Sequence, residues 1–158
     1  MAPVANDTSG VRFPPPFIAA GVFVVAYAVH WFAPLPLAAT PGAAQRTVGW
    51  ALVALALLLS SGSVFLFRRA GTTPNPLRPT TALVVHGPYR FTRNPMYVAF
   101  AVLYIGVTLL VNSAWPFVFF PVMITLLDRL VIVREEAYLE AKFGDAYRSY
   151  RARVRRWI

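Results

Sequence analysis

Long apolar runs separated by short polar stretches form the main pattern in the first half of the chain. Residues 17–32 are apolar except for His30, and residues 35–37 could extend this run beyond Pro34. Residues 48–67 are leucine-rich and uncharged, and their number matches the roughly 20 residues that a helix needs to cross a bilayer. Both runs predict transmembrane helices, although the first run (residues 17–37) is also compatible with a signal peptide.

The second half of the chain has the pattern of a helical hairpin. A third apolar run covers residues 96–111, a tight turn is predicted at residues 112–114, and a fourth run begins at Trp115. Because nothing breaks the helical pattern before Phe143, we expect the fourth helix to continue to that residue. The chain is therefore predicted to be an all-α integral membrane protein with about four transmembrane helices.

The last part of the chain is polar, and its pattern predicts amphipathic helices over residues 134–158. Regular α-helical spacing places Asp128 and Glu135 two turns apart on one face of the fourth helix. Gly144 suits the end of that helix, and a last helix is expected to start at Asp145. Its apolar stripe comprises Tyr147, Tyr150, Val154 and Trp157. We expect this helix to lie at the membrane surface with its arginines off the stripe.

Composition and charge agree with a membrane protein and suggest its orientation. Of the 158 residues, 58% are hydrophobic and only 13% are charged, whereas soluble domains average about 25% charged. The net charge is +9, yet only Arg12 and Arg46 of the 15 lysines and arginines precede Arg68. Because positively charged loops stay on the cytoplasmic side, we expect residues 68–95 and both termini to face the cytoplasm from the plasma or inner membrane.

The same features narrow the possible functions. The arginines follow a membrane-surface helix and no base-reading motif is present, so a nucleic-acid partner is not predicted. The absence of cysteine excludes disulfides, thiolate metal sites and a cysteine nucleophile, and we predict no metal site. No glycine-rich phosphate loop supports a nicotinamide-dependent membrane reductase. The expected partners are membrane lipids.

The polar loop before the third run ends in a pattern typical of a ligand site. Asn94 is a good N-cap and Pro95 suits the first helical position, so a helix with free N–H groups should begin there. Arg93 adds a full positive charge, while Tyr89 and Tyr97 add aromatic faces. The segment suits a small ligand with an anionic end and a flat or cationic end. The alternative is a basic loop that only anchors the helix.

The order of the motifs resembles the signature of one group of membrane enzymes. Arg-Asn-Pro-Met-Tyr at residues 93–97 is followed by an apolar hairpin, by Glu135-Glu136, and by Phe-Gly-Asp-Ala-Tyr at residues 143–147. This order is similar to that of the isoprenylcysteine carboxyl methyltransferase and phospholipid N-methyltransferase superfamily. Asn94 stands where these proteins usually have His and Ala99 where they usually have Gly, which we interpret as variation within the family.

The resemblance implies a single membrane-embedded domain over residues 1–158 that uses S-adenosylmethionine as its cofactor. Residues 1–16 would be a flexible tail, and a cytoplasm-facing cofactor pocket would form between the loop 68–95 and the C-terminal helices 134–158. The implied cofactor contacts are Leu83, Val84, His86, Gly87, Tyr89, Arg93, Asn94, Pro95, Met96, Tyr97, Glu135 and Glu136.

The resemblance also implies a lipophilic acceptor embedded in the membrane, either an isoprenylcysteine-like carboxylate or a lipid amine. Val131 stands where the prenylcysteine enzymes carry an arginine that meets the substrate, so Arg129 and Arg134 are the candidates to replace it. A small-thiol methyltransferase and a non-catalytic four-span membrane protein that keeps the fold remain alternatives.

Catalysis by a general base depends on the acceptor. A carboxylate acceptor needs no base, whereas an amine or a thiol must lose a proton. The candidate bases near the motifs are Glu135, Glu136 and His86.

Overall fold

Helices form the regular structure of residues 7–158, which are the residues that the computed structural model describes. The six α-helices are α1 (Pro15–Phe32), α2 (Ala43–Arg69), α3 (Pro95–Leu110), α4 (Trp115–Leu127), α5 (Val133–Phe143) and α6 (Asp145–Arg153). A 3-10 turn at Gly87–Arg90 precedes α3, and a π turn at Asp128–Ile132 joins α4 to α5. No strand occurs in this part of the chain, so the all-α prediction is confirmed.

Three helices are long and apolar enough to cross a membrane. They are α1, α2 and the continuous helix from Trp115 to Phe143 that α4, the π turn and α5 form together. The helix α3 is apolar but has only 16 residues and is therefore about 24 Å long. It packs along α2, and α1 packs against α4, so the four apolar segments form one bundle.

The predicted extension of the first span to residues 35–37 is wrong. The helix α1 ends at Phe32, because the residue before Pro34 is restricted to extended conformations. Leu35 instead accepts a hydrogen bond from the backbone N–H of Ala114, at 2.8 Å.

The α1–α2 loop and the α3–α4 turn close one end of the bundle. Asn112 has a φ of +53° in that turn, and its side-chain amide donates to the carbonyl of Ala38 at 2.8 Å. The side chain of Gln45 donates to the carbonyl of Leu109 at 2.8 Å and to Asn112 Oδ1 at 3.0 Å. These bonds satisfy backbone groups at the helix ends.

Helices α2 and α3 cross at a pair of glycines. A Cβ atom on Gly106 would lie 3.0 Å from the carbonyl oxygen of Gly49 and 3.0 Å from Cβ of Leu52. Residues 60–63 of α2 are also small, a pattern that suits close helix packing. In that patch Ser63 is buried, but Gly62 has no atom within 4 Å of its would-be Cβ.

The π turn changes which acidic residues share a helix face. A π turn closes over one more residue than an α turn, so it rotates the helix that follows it. Asp128 therefore lies on the same face as Glu136, and Arg156 contacts both carboxylates. The prediction that paired Asp128 with Glu135 is wrong for this reason.

The C-terminal segment after α6 is extended instead of helical. The helix α6 begins at Asp145 as predicted but ends at Arg153, and Val154 has φ −122° and ψ 130°. The predicted helical stripe therefore stops after Tyr150, which is buried together with Tyr147. This segment lies near the start of α3.

The expected N-terminal tail falls partly outside the described residues, which begin at residue 7. Residues 7–14 contact α5 and the loop after α2. Lys142 lies 2.6 Å from Asp7 Oδ1, and Ser9 donates to the carbonyl of Pro76 at 2.6 Å. This part of the N-terminal region and the C-terminal segment therefore lie at the same end of the bundle.

The glycine crossing gives a test of the helix packing. We expect Gly106→Ala to lower the free energy of unfolding by about 1–3 kcal/mol, because the added methyl meets the backbone of α2. Gly62→Ala is the matched control and should be neutral or stabilising by up to about 1 kcal/mol, since alanine favours helix and the site is open. Thermal unfolding in detergent micelles measures both, and equal stabilities would contradict the crossing.

Candidate functional site

A cavity opens at the end of the bundle where residues 7–14 and the C-terminal segment lie. Its walls come from the loop after α2, the start of α3, and helices α5 and α6. It encloses about 820 Å³ of space, counted out to and including its open mouth.

Ten of the twelve predicted cofactor contacts line this cavity, although 37 residues lie between Tyr97, the last of the loop residues, and Glu135. The lining includes Leu83, Val84, Tyr89, residues 93–97, Glu135 and Glu136. The fold therefore brings the loop motif and the acidic pair together at one site.

His86 and Gly87 are the two predicted contacts that do not line the cavity. Both are exposed. Gly87 has a φ of +61°, and a Cβ there would lie 2.7 Å from Leu66 Cδ1, so a glycine is required by the turn itself. The structure thus places His86 away from the residues that could face a ligand.

The two candidate substrate arginines also lie outside the cavity. Arg129 is exposed, and Arg134 is exposed and donates from Nη1 to the carbonyl of Gly10 at 3.0 Å. Val131, which occupies the position of the expected arginine, is fully buried in the core with Met123 and Leu127.

Arg93 is the buried cation of the site. Its side chain is 10% exposed, and Nη2 lies 2.9 Å from Oε1 of Glu136. Its Nε and Nη1 atoms are buried and have no hydrogen-bond partner within residues 7–158. An unpaired buried N–H group is costly, so these two atoms are suited to receive an anionic group of a ligand.

Glu136 is held by a second arginine. Arg156 Nη2 lies 2.6 Å from Glu136 Oε2, and Arg156 Nε donates to Oε1 at 3.2 Å. Arg156 Nη1 also donates to Asp128 Oδ1 at 3.1 Å. The two arginines and two acids form a neutral network, which reduces the cost of burying Glu136.

Glu135 faces the cavity with a different partner. The hydroxyl of Tyr97 donates to Glu135 Oε1 at 2.8 Å, and both residues line the cavity. Within residues 7–158 the hydrogen bond from Tyr97 is the one side-chain bond recorded for this carboxylate. Glu135 can therefore accept a further hydrogen bond from a ligand.

The side chain of Asn94 does not act as the predicted helix cap. The helix begins at Pro95 as expected, but Asn94 makes no side-chain cap bond. Its Nδ2 donates instead to the carbonyl of Arg156 at 2.9 Å, because the extended C-terminal segment brings that carbonyl alongside. Thr92 Oγ1 donates to the same carbonyl at 3.1 Å.

Aromatic side chains form another wall, and the sequence only partly indicated them. Tyr89 packs edge-on against Phe67 with ring centroids 5.5 Å apart, and Tyr147 and Tyr150 also line the cavity. Burial raises the pKa of Tyr150 to about 12, so its neutral hydroxyl donates to the carbonyl of Tyr89 at 2.7 Å. Burial likewise raises the pKa of Tyr89 and Tyr147. Phe67 was missed because it ends an apolar span without a polar signal.

Comparison with known proteins identifies the family of the chain. The model of the phospholipid methyltransferase family matches residues 44–146. An uncharacterised protein of Haemophilus influenzae is 36% identical over 63 residues, which is 40% of this chain and all of that protein. The protein-S-isoprenylcysteine O-methyltransferase of Schizosaccharomyces pombe is 35% identical over 72 residues, which is 46% of this chain but 30% of that protein. No solved structure matches the chain.

The family match covers well over half of the chain. The chain therefore belongs to the phospholipid methyltransferase family, within the superfamily of membrane methyltransferases that also contains the isoprenylcysteine enzymes. The motif order of the sequence had suggested this membership, and it is confirmed.

The role of Asn94 can be tested by a substitution that keeps the acceptor and removes the donor. Aspartate is as good an N-cap as asparagine. We nevertheless expect Asn94→Asp to destabilise the fold by roughly 1–2 kcal/mol, because its carboxylate would face the carbonyl of Arg156. Thermal unfolding in detergent is the measurement.

Asn75→Asp is the control for this substitution. Asn75 Oδ1 accepts from the backbone N–H of Leu77 at 3.0 Å, and an aspartate retains that acceptor. Its melting temperature should stay near that of the unaltered protein. An Asn94→Asp variant as stable as the control would restore the capping interpretation.

Proposed function

We propose that the protein transfers a methyl group from S-adenosylmethionine to a lipophilic acceptor that reaches the site from the membrane. The observation that carries the proposal is the pair of buried, unpartnered nitrogens of Arg93, a residue that lines the cavity. Membership of a methyltransferase family supplies the reaction class.

The residues of the cavity fit this cofactor. Arg93 lies at the N-terminus of α3, where the helix dipole adds to its charge, and it suits the carboxylate of the amino acid part. Glu135 suits the ammonium group or the ribose hydroxyls. Tyr89 and Tyr147 suit the adenine ring or the sulfonium charge.

When bound, S-adenosylmethionine supplies a methyl group already activated by the sulfonium charge. The main work of the protein is therefore to orient two reactants at close distance and to exclude water. A wall of tyrosines and apolar side chains, to which Ser9 of the N-terminal region also contributes, serves both purposes.

Among the three candidate bases, Glu135 is the one that we propose for an acceptor that must lose a proton. Both oxygens of Glu136 are already bonded to arginines. His86 lies outside the cavity. Glu135 faces the cavity, and its hydrogen bond from Tyr97 fixes its orientation.

The charges of the cavity favour a lipid amine as the acceptor. Arg93 is the single cation among the described residues that line it. If Arg93 binds the carboxylate of the cofactor, no second cation remains for the carboxylate of an isoprenylcysteine. Arg129 and Arg134 do not supply one, because both are at the surface. The name of the matching family agrees with a phospholipid as the acceptor.

The cavity is proposed to face the cytoplasm from the plasma or inner membrane. All but two of the 15 lysines and arginines follow residue 67, and the loop and helices that form the cavity carry most of them. The described parts of both termini lie at that end, so both would be cytoplasmic.

Calorimetric titration with S-adenosylhomocysteine, the product form of the cofactor, tests the proposal. We expect the detergent-purified protein to bind it, and Glu135→Gln to weaken binding about tenfold because one charge-assisted hydrogen bond is lost. Glu140→Gln, on the same helix but outside the cavity, should bind like the unaltered protein.

The absence of binding by folded, unaltered protein would overturn the cofactor assignment. It would instead favour a membrane protein that keeps the fold without the chemistry. Equal losses in Glu135→Gln and Glu140→Gln would show that the cavity is not where the ligand binds.

The acceptor is tested by following a labelled methyl group. With methyl-labelled S-adenosylmethionine, we expect label to enter the lipid phase of vesicles that contain phosphatidylethanolamine, which has a primary amine. Vesicles of phosphatidylcholine alone, whose nitrogen is already fully methylated, are the control and should stay unlabelled. S-farnesylcysteine, added to the control vesicles, offers a carboxylate instead. If the label enters S-farnesylcysteine but not phosphatidylethanolamine, the acceptor is a carboxylate and the proposed lipid amine is wrong.

A further inference from the structure

The C-terminal segment after α6 is joined to the loop that begins α3. The backbone N–H of Arg93 donates to the carbonyl of Arg155 at 2.9 Å. The carbonyl of Arg156 accepts from Asn94 Nδ2 at 2.9 Å and from Thr92 Oγ1 at 3.1 Å. Trp157 packs against the hydrophobic core. The backbone position of Arg156 is therefore determined by its contacts with both the loop and the core.

From this position the guanidinium of Arg156 bonds two carboxylates. It uses Nη2 and Nε for the two oxygens of Glu136, at 2.6 and 3.2 Å, and Nη1 for Asp128, at 3.1 Å. The π turn places these two acids on one helix face. An arginine can make such bonds in two directions because its five N–H donors form a rigid planar fork.

The bonds from Arg156 to Glu136 affect how many nitrogens of Arg93 bond the same carboxylate. Both oxygens of Glu136 are bonded to Arg156, so Arg93 contributes only Nη2, at 2.9 Å from Oε1. The Nε and Nη1 atoms of Arg93 are left without a partner in the described chain. The side chain of Glu136 is 8% exposed, so it needs a cation whether or not Arg156 is present.

Loss of Arg156 would leave Arg93 as the remaining cation beside Glu136. Carboxylates and guanidinium groups prefer a bidentate geometry, in which Glu136 would also take Nε of Arg93. Arg93 would then turn toward Glu136 and away from the cavity.

We infer that Arg156 is a positioning residue for ligand binding: it holds Glu136 so that Arg93 keeps two N–H donors for the carboxylate of the cofactor. This inference rests on the proposed function. Arg156 itself does not line the cavity, so it acts through Glu136 and Arg93.

A comparison of two ligands tests this role. S-adenosylhomocysteine has the amino acid carboxylate, and 5′-methylthioadenosine has the nucleoside and thioether without it. We expect Arg156→Gln to weaken S-adenosylhomocysteine at least about tenfold and to change 5′-methylthioadenosine less than about twofold. A general loss of structure would weaken both ligands equally.

Arg155→Gln is the matched control. Arg155 is the neighbouring residue with the same charge, its side chain is exposed, and its backbone carbonyl bond to Arg93 remains in the variant. Its affinity for both ligands should stay within about twofold of the unaltered protein. A loss of S-adenosylhomocysteine binding in Arg155→Gln as large as in Arg156→Gln would show a general charge effect and overturn the inference.

A second substitution tests the route through Glu136. In a Glu136→Gln variant, residue 136 has no carboxylate for Arg156 to bond. Adding Arg156→Gln to that variant should therefore weaken S-adenosylhomocysteine binding by less than about a further twofold. If the two substitutions instead weaken S-adenosylhomocysteine binding by factors that multiply, Arg156 does not act through Glu136, and this part of the inference is overturned. If Arg156→Gln does not fold, Arg156→Lys keeps the charge without the fork, and it should weaken S-adenosylhomocysteine more than 5′-methylthioadenosine.

The outcomes separate this inference from the proposed function. Unaltered protein that binds S-adenosylhomocysteine, with Arg156→Gln binding it equally well, would overturn the inference and leave the proposed function standing. Equal weakening of both ligands by Arg156→Gln would also overturn it. Unaltered protein that binds neither ligand would overturn both.

Discussion

The buried carboxylate of Glu136 is the interaction on which the site depends. A charge that is removed from water must be paired, and unpairing it costs several kcal/mol, roughly 3–5 when one partner is removed. Glu136 meets this requirement with Arg93 from the loop and Arg156 from the C-terminal segment. It therefore joins three parts of the chain that are distant in sequence, and two of them, the loop before α3 and the helix α5, line the cavity.

The membrane explains why the site lies at one end of the bundle. In hydrocarbon, backbone polar groups must be satisfied within the helix, so irregular segments such as residues 70–86 belong outside the membrane or against protein. At the other end the turn at Asn112 is closed by local hydrogen bonds. Under the proposed function, a water-soluble cofactor would enter at this polar end while the acceptor stays in the lipid.

Much of the fold and of the site was predictable from local patterns. The apolar runs predicted the helices because a membrane span needs a certain length of apolar residues whatever its neighbours are. Pro95 and Gly144 predicted helix ends because their own backbone preferences determine them. The order of short motifs predicted the family, and ten of the twelve expected contacts line the cavity.

What the tertiary structure alone decided concerns groups whose partners are distant along the chain. The side chain of Asn94 could cap a helix, yet it bonds Arg156, 62 residues later, because the extended segment presents a carbonyl there. Asp128 aligns with Glu136 because a π turn rotates the helix, and no residue pattern announced that turn. In the sequence, nothing distinguished Arg156 from the other arginines of the predicted C-terminal helix. Local preference determines a helix and its ends, whereas burial of a charge depends on which distant groups arrive beside it.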